Sequence, residues 1–188
     1  MPGGGGYRPA GPFWQSSGML IAMAGLPAAG KSSVAEGLAS ALSAPVVSVD
    51  PIEAALLRSG IERAQPTGLA AYLAAEAVAG GVLALGQTVI VDAVNAVEPA
   101  RQQWRDLASR HRVRLAFIEV VCSDPVLHRR RLEERVRDLE GFDEPGWAAV
   151  ERGRAEYEPW AERRLVLDSV NDLTSNIKHA LEFVAGLR

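Results

Sequence analysis

The 188-residue sequence contains a single cysteine, Cys122, and three histidines that share no metal-ligand spacing with it or with one another. One cysteine excludes an internal disulfide framework, and the histidine spacing argues against a zinc site. The sequence also lacks an apolar run near the ~20 residues of a membrane span, and it lacks a charged leader followed by a long apolar segment. We therefore predict a cytoplasmic protein with no membrane partner.

A large excess of charge of one sign is also missing. The formal net charge is −3 and the calculated pI is about 5.7, which argues against a broad nucleic-acid-binding surface and leaves one local basic cluster. The chain has no internal repeat, and 48% of its residues are hydrophobic, enough for one core. Residues 1–18 are rich in glycine and proline without periodicity, so we predict a flexible extension there and a single domain over residues 19–188.

Short apolar, β-branched runs alternate with longer segments of helical pattern from Met19 onward. This alternation is typical of an α/β domain whose parallel sheet is covered by helices on both faces. The predicted strands span residues 19–24, 46–49, 88–91, 113–121 and 165–167. The predicted helices span residues 32–43, 51–58, 67–85, 98–110, 125–138, 145–158 and 172–186.

The segment GLPAAGKS places the pattern G-x-x-x-x-G-K-S between the first predicted strand and the first predicted helix, as in a P-loop. Its glycines permit a tight curl in which backbone N–H groups and the N-terminus of the following helix surround a phosphate chain. Lys31 supplies a cation for the terminal phosphates, and the Ser32 hydroxyl suits Mg²⁺. We therefore predict ATP and Mg²⁺ as cofactors. The predicted nucleotide-binding residues are Gly25, Leu26, Pro27, Ala28, Ala29, Gly30, Lys31, Ser32 and Ser33.

A carboxylate follows the second predicted strand, where Asp50 stands in VVSVDPIEAAL. In open parallel sheets the ligand crevice lies outside the carboxyl ends of the strands, so we expect Asp50 and the P-loop at the same edge. There Asp50 can accept the proton of a substrate hydroxyl as that oxygen attacks the γ-phosphorus. The alternative interpretation is that Asp50 only caps the following helix.

The third predicted strand ends in a similar way, in TVIVDAVN. Asp92 is a candidate to hold Mg²⁺ through water or to bind the acceptor, and Asn95 is a candidate to hydrogen-bond the substrate. Arg101 lies one turn into the next predicted helix and is a further candidate to bind the substrate if it faces the crevice; the alternative is that it is exposed to solvent. The alternative for Asp92 and Asn95 is that they cap a turn and a helix.

A basic cluster, HRRRLEERVRD, follows the fourth predicted strand. On a helix over residues 125–138, Arg131 and Arg135 stand at i and i+4, so two guanidinium groups can reach one ligand and neutralise charge in a phosphoryl-transfer transition state. The following segment, DLEGFDEPG, is a candidate hinge. The interleaved Glu133 and Glu134 favour the alternative of surface ion pairs.

These motifs together resemble the small P-loop kinases that include chloramphenicol phosphotransferase and the kinase domain of polynucleotide 5′-kinases. The resemblance covers residues 19–170 and depends on GLPAAGKS, VDPIEA, VIVDAVN and RRRLEER. It implies a three-layer α/β sandwich with a five-stranded parallel sheet in the order 2-3-1-4-5 and an arginine-bearing lid. It also implies that Asp50 is the catalytic base, because the aspartate of a similar stretch has that proposed role in chloramphenicol phosphotransferase.

The predicted function is ATP-dependent transfer of a phosphoryl group to a hydroxyl of a small molecule. Polynucleotide kinases usually carry an arginine three residues after the catalytic aspartate, where this chain has Glu53, so a polynucleotide or nucleoside-type 5′-hydroxyl kinase is the second candidate. The tail EYEPWAERRLVLDS is also similar to that of adenylylsulfate kinases, although that family favours Ser-Gly-Ser in its P-loop. A third candidate is a non-catalytic, nucleotide-switched binding module, but the guanine-reading N-K-x-D of GTPase switches is absent from the sequence.

Overall fold

The computed structural model describes residues 18–62, 64–135 and 145–187. Within these residues lie five strands and seven helices. The strands are β1 (Met19–Ala24), β2 (Val46–Ser48), β3 (Val89–Asp92), β4 (Arg114–Val121) and β5 (Leu165–Asp168). The helices are α1 (Lys31–Leu42), α2 (Val49–Arg58), α3 (Thr67–Ala84), α4 (Glu98–His111), α5 (Pro125–Glu133), α6 (Trp147–Ala155) and α7 (Leu173–Gly186). The predicted N-terminal extension, apart from Gly18, and most of DLEGFDEPG lie outside the described residues.

The strands form one parallel sheet in the order β2-β3-β1-β4-β5. This confirms the order implied by the resemblance to small P-loop kinases. The central strand β1 is buried along its whole length, and Ile21 aligns with Ile90 of β3 on one side and with Ala116 of β4 on the other. All strands end at one edge, so the segments that follow β1, β2 and β3 meet there.

Helices cover both faces of the sheet and enclose two hydrophobic cores. On one face α3 contributes Ala71, Ala75 and Ala79, and α4 contributes Trp104. Alanines at every fourth position share one side of α3 and let that helix approach the sheet closely. On the other face α1 and α7 pack through residues such as Leu38. The predicted three-layer α/β architecture is therefore confirmed.

Helix α3 combines a buried alanine face with an exposed apolar face. Among the described residues, it is the one helix long and apolar enough to cross a membrane by length and composition, with 28% of it buried. Leu69 and Leu73 are 60% and 54% exposed, while Ala71 and Ala75 pack against the sheet. Helix α3 is thus part of the core of this domain, and the cytoplasmic location stays a prediction.

Most predicted elements end within three residues of the observed bounds, but two differences bear on function. Helix α2 begins at Val49, before Asp50, because Pro51 fits a first helical turn and does not force a start at its own position. Helix α5 ends at Glu133, five residues earlier than predicted. Consecutive glutamates are unfavourable at a helix C-terminus, where the helix dipole is negative. Arg135 therefore lies beyond α5, and the prediction that it shares a helical face with Arg131 is wrong.

Candidate functional site

The loop between β1 and α1 adopts a curl that glycine makes possible at both ends. Gly25 and Gly30 have φ values of 130° and 102°, in the region that favours glycine. A Cβ atom on Gly25 would stand 2.1 Å from the carbonyl oxygen of Val120, and the Gly25 N–H donates to the carbonyl of Val94 at 3.0 Å. The loop is therefore held between the ends of β3 and β4, with Gly30 as the N-cap of α1.

Lys31 is the first residue of α1 and is buried, with an exposed fraction of 8%. Its Nζ donates a hydrogen bond to the carbonyl of Leu26 at 3.0 Å, so the ammonium group folds back over the loop. The unpaired N–H groups of the first turn of α1 and the positive end of its dipole point the same way. Loop, lysine and helix start together form an anion-binding surface suited to a phosphate chain.

Ser32 and Asp92 form a pair at the edge of this surface. The Ser32 Oγ donates to Asp92 Oδ2 at 2.7 Å, and Asp92 is only 8% exposed. Its other oxygen, Oδ1, is buried without a hydrogen-bond partner within residues 18–62, 64–135 and 145–187. A hydroxyl and a carboxylate are ligands that Mg²⁺ prefers, and an unsatisfied buried carboxylate oxygen suits a cation.

The same part of the chain contains no group of three or more His, Cys, Asp or Glu side chains that could hold a metal ion. Mg²⁺ usually keeps several waters and binds proteins through one or two side chains together with substrate phosphates. Ser32 and Asp92 fit that pattern, with a nucleotide and water as the other ligands. Asp92 is the last residue of β3 and caps no helix, since α4 has Val97 at its N-cap.

A cavity of about 480 Å³ lies beside the phosphate loop, and Asp50 and Asp92 both line it. Asp50 enters it from the first turn of α2, and Asp92 enters it from the end of β3. The N-cap of α2 is Ser48, so Asp50 is not the capping residue. The cavity is lined by Pro27, Lys31, Ser32, Glu36, Ser48, Asp50, Pro51, Asp92, Ala93, Val94 and Arg135.

A second cleft adjoins the first and shares Lys31, Ser32 and Arg135 with it. It also contains Arg131, whose guanidinium donates to the Oγ of Ser169 at 2.7 Å and to its carbonyl at 3.1 Å. Both predicted arginines therefore line the same cleft as Lys31 and Ser32, although one comes from α5 and the other from the segment after it. The cleft is lined by Ala28, Gly30, Lys31, Ser32, Ser33, Val34, Arg131, Arg135, Ser169, Asn171, Leu173 and Asn176.

The contribution of the segment after β5 to this cleft was missed in the sequence. Ser169 and Asn171 stand at the carboxyl end of β5, and Asn176 is on α7, where its Nδ2 donates to the Asp168 carbonyl at 2.9 Å. The rule that ligands bind at the carboxyl ends of parallel strands applies to β5 as it does to β2 and β3. The position of Ser169 and Asn171 just after β5 was therefore the signal from which their place at the cleft could have been predicted.

Asn95 has a structural position that differs from the predicted substrate contact. Its side chain is fully buried, and Nδ2 donates to the Met23 carbonyl at 2.7 Å while Oδ1 accepts from Trp104 Nε1 at 2.8 Å. Asn95 also has a positive φ of 51°, a conformation that asparagine tolerates better than most residues. Asn95 fixes the turn after β3 against β1 and α4. This buried position does not fit the predicted contact with a substrate.

Arg101 is also buried completely, and it faces neither the crevice nor solvent. Its guanidinium donates to the carbonyl oxygens of Asn95, Ala96, Glu158 and Pro159 at 2.8–3.0 Å. The same group lies 3.9 Å from the ring centroid of Trp160. Arg101 thus joins the turn after β3 to the segment after α6, and a direct substrate contact does not fit this position.

Tyr72 of α3 is a further residue near the two carboxylates, and no sequence pattern indicates it. Its hydroxyl oxygen accepts a hydrogen bond from the Asn95 N–H at 3.1 Å. Burial, with smaller contributions from Asp50 and Asp92, raises the pKa of Tyr72 to about 12. The phenol therefore stays neutral at physiological pH and adds no third negative charge beside Asp50 and Asp92.

A parallel sheet in this order, with a phosphate-binding loop between β1 and α1 and a serine–aspartate pair at its edge, is the P-loop kinase type of α/β fold. A family model for the AAA domain family AAA_33 matches residues 20–160. The chain belongs to this family.

Solved structures share the fold at low sequence identity. A Chloroflexus aurantiacus protein that is provisionally described as a kinase is 19% identical, with a TM-score of 0.74 and coverage of 93% of this chain and 100% of that chain. Kti12 of Chaetomium thermophilum, in complex with ADP-AlF3, is 22% identical, with a TM-score of 0.66 and coverage of 89% and 100%. A gluconokinase of Sinorhizobium meliloti 1021 is 20% identical, with a TM-score of 0.63 and coverage of 91% and 93%.

No curated protein matches the chain in a sequence search. The specific likeness to chloramphenicol phosphotransferase therefore stays a prediction, within a fold and family that are established.

Proposed function

We propose that the protein is an ATP-dependent kinase that transfers the γ-phosphoryl group to a hydroxyl of a small molecule. The observation that carries this proposal is the cavity beside the phosphate loop that Asp50, Asp92 and Lys31 line together. A module that only senses a nucleotide needs the loop, but it does not need a carboxylate facing a cavity large enough for an acceptor. The kinase fold and the ADP-AlF3 bound by Kti12 are consistent with a nucleotide on this loop.

In this mechanism, the loop N–H groups and Lys31 bind the β- and γ-phosphates. Ser32 and Asp92 would hold Mg²⁺, which neutralises phosphate charge when it is bound. Asp50 accepts the proton of the acceptor hydroxyl as the hydroxyl oxygen forms its bond to the γ-phosphorus. The bond between the γ-phosphorus and the β–γ bridging oxygen breaks at the same time, and ADP leaves with that electron pair.

Arg131 and Arg135 are proposed to neutralise charge on the phosphoryl group during transfer. Both side chains line the cleft that contains Lys31 and Ser32. A guanidinium suits this task because its planar set of donors matches the oxygens of a phosphate. The contacts of Arg131 with Ser169 hold its guanidinium at the cleft.

The nature of Glu53 favours a small acceptor over an oligonucleotide. Glu53 accepts a hydrogen bond from Thr67 Oγ1 at 2.8 Å, which fixes a carboxylate one turn after Asp50. A carboxylate repels the phosphates of a nucleic acid, whereas an arginine would attract them.

The direct test is a screen of hydroxyl compounds for acceptor-dependent release of ADP from ATP in the presence of Mg²⁺. The screen should contain sugars, amino alcohols, nucleosides and 5′-hydroxyl oligonucleotides, with the phosphorylated product identified by mass spectrometry. A product from a small hydroxyl compound would support the proposal. Phosphorylation of the oligonucleotides alone would replace it with a polynucleotide kinase, and ADP binding without any product would favour the switch module.

Binding of ATP with Mg²⁺ should raise the melting temperature through the phosphate loop. At a ligand concentration 100 times Kd the gain is about 2.7 kcal/mol, or roughly 5–11 °C for a domain of this size. Lys31→Ala should lose most of this shift, since it removes the cation that faces the phosphates. The sequence has one other lysine, Lys178, which is exposed on α7. Lys178→Ala should keep the full shift, and equal shifts in wild type and Lys31→Ala would contradict the assignment.

Asp92→Asn should weaken the dependence of ATP binding on Mg²⁺. The amide keeps an acceptor for Ser32 but removes the negative charge and the unsatisfied carboxylate oxygen. The Mg²⁺ concentration that gives half of its effect on ATP affinity should rise about tenfold or more. Calorimetric titrations of ATP at a series of Mg²⁺ concentrations measure this, with the exposed Asp106→Asn as the control. An unchanged Mg²⁺ dependence in Asp92→Asn would remove Asp92 from the metal site.

A further inference from the structure

His128 is a buried histidine that no step of the proposed mechanism uses. It lies on α5, is 1% exposed, and its Nε2 is 2.8 Å from the carbonyl oxygen of Pro27 in the phosphate loop. Pro27 and His128 are far apart in the sequence, so this contact joins the loop to a distant helix. A carbonyl oxygen can only accept, so a hydrogen bond here requires a proton on Nε2.

The surroundings of the other ring nitrogen fix the tautomer. His128 Nδ1 is 3.3 Å from NH2 of Arg154, and a guanidinium can only donate, so Nδ1 is the acceptor. Burial lowers the pKa of His128, and the cations Arg154, Lys31 and Arg131 lower it further against the opposing effect of the Pro27 carbonyl. The ring is therefore neutral, with its one proton on Nε2 and directed at Pro27.

The ring plane is held from α6 as well. Trp147 contacts the imidazole edge to face, with centroids 5.4 Å apart and an interplanar angle of 87°. Arg154 lies over Trp147 at 5.8 Å from its centroid. The donor on Nε2 thus has both its direction and its protonation state set by groups outside the phosphate loop.

The Pro27–Ala28 peptide, whose carbonyl accepts from His128 Nε2, leads into a residue with a strained backbone conformation. Ala28 has a φ of 59°, in the left-handed region that is unfavourable for a residue with a Cβ atom. In a trans peptide the carbonyl and the following N–H point in opposite directions. Fixing the Pro27 oxygen toward His128 therefore turns the Ala28 N–H away from His128. Ala28 lines the cleft that contains Lys31 and Ser32.

We propose that His128 is a positioning residue that locks the Pro27–Ala28 peptide with the Ala28 N–H facing the nucleotide phosphates. Without this bond the peptide can rotate, which relieves the conformation of Ala28 and turns a carbonyl oxygen toward the phosphates. A carbonyl oxygen in that place repels the phosphate chain, whereas an N–H attracts it. This inference rests on the proposed nucleotide-binding function of the loop and gives His128 no contact with the reacting atoms.

The test compares two substitutions that differ in one hydrogen-bond donor. His128→Gln retains an N–H donor at a reach similar to Nε2, and His128→Leu fills similar space without a donor. We expect His128→Leu to raise the Kd for ADP about tenfold, the scale of one buried hydrogen bond, and His128→Gln to remain within about threefold of wild type. Calorimetry at a temperature well below each melting point measures both. The exposed His179→Leu on α7 is the matched control and should bind as wild type does.

Steady-state kinetics of His128→Leu distinguish a positioning role of His128 from a general loss of folded protein. In His128→Leu the KM for ATP should rise with the Kd, whereas a smaller folded fraction would lower kcat and leave this KM unchanged. An unchanged Kd in His128→Leu, or an equal loss in His128→Gln and His128→Leu, would overturn the inference. A wild-type protein that binds no ADP would overturn both this inference and the proposed function. Tight ADP binding without any phosphorylated acceptor would contradict the proposed kinase activity but would still support the positioning role of His128.

Discussion

Asp50→Asn should lose phosphoryl transfer by ~10²–10⁴-fold while it keeps the affinity for ATP close to that of wild type. Asparagine preserves the shape of the side chain, but its amide cannot take the proton of an acceptor hydroxyl. Asp50 lies in the first turn of α2 and lines the cavity beside the phosphate loop without belonging to the loop, so its loss leaves the loop intact. Acceptor-dependent ADP release, measured beside calorimetric ATP titrations, gives both quantities on the same protein.

If Asp50 has only a structural role, its contribution to stability is smaller than that of a helix cap. Ser48 occupies the N-cap, and a carboxylate in the first turn contributes only about 0.3–1 kcal/mol through the helix dipole. A purely structural Asp50 would therefore give a small decrease in melting temperature and a rate near that of wild type. The exposed Asp106→Asn on α4 controls for the charge change. Transfer at close to the wild-type rate in Asp50→Asn would refute the base assignment and make Asp92 the next candidate.

Arg101→Met should destabilise the domain by about 3 kcal/mol or more, equivalent to roughly 6–12 °C in melting temperature. The substitution leaves four backbone carbonyl oxygens without the donors that Arg101 gives them, and it removes the stacking on Trp160. Water cannot easily replace a guanidinium that is fully enclosed. Denaturant unfolding with and without ADP measures the effect on the free energy of unfolding.

Two further variants show whether the loss comes from geometry or from charge. Arg101→Lys keeps the charge, but a single ammonium cannot supply four acceptors in different directions, so it should also be clearly destabilised. Arg110→Met removes an exposed arginine of the same helix that pairs with Glu76, and it should cost less than about 1 kcal/mol. A stable Arg101→Met protein with a raised KM for the acceptor would instead restore the substrate-binding role predicted from sequence.

The parts of the site that lie in one short segment could be predicted from sequence. Eight consecutive residues define the phosphate loop, and the strand and helix around it follow from local patterns. Asp50 and Asp92 were also placed correctly at one edge, because the ends of parallel strands meet there whatever their distance in the chain. The hydrogen bond between Ser32 and Asp92 is the physical result of that rule.

The parts that depend on distant partners could not be predicted. Asn95 and Arg101 stand at suitable positions along the chain, but their acceptors on Met23 and on the segment after α6 are visible only in the folded structure. The same is true of His128, whose contact with Pro27 has no sequence pattern. The prediction for Arg135 was wrong for a local reason, because a helical pattern does not reveal that α5 ends at Glu133.

The position of β1 between β3 and β4 has a consequence for the protein during its synthesis. The phosphate loop is translated before β3 and β4, but the Gly25 N–H donates to the Val94 carbonyl, and Gly25 lies close against the Val120 carbonyl. Contacts between segments so far apart form late and slowly. We therefore expect a nucleotide to stabilise the nascent chain through this loop only after β4 has been added. We therefore expect the most recognisable segment of the sequence to gain its last backbone neighbour only when Val120 has been translated.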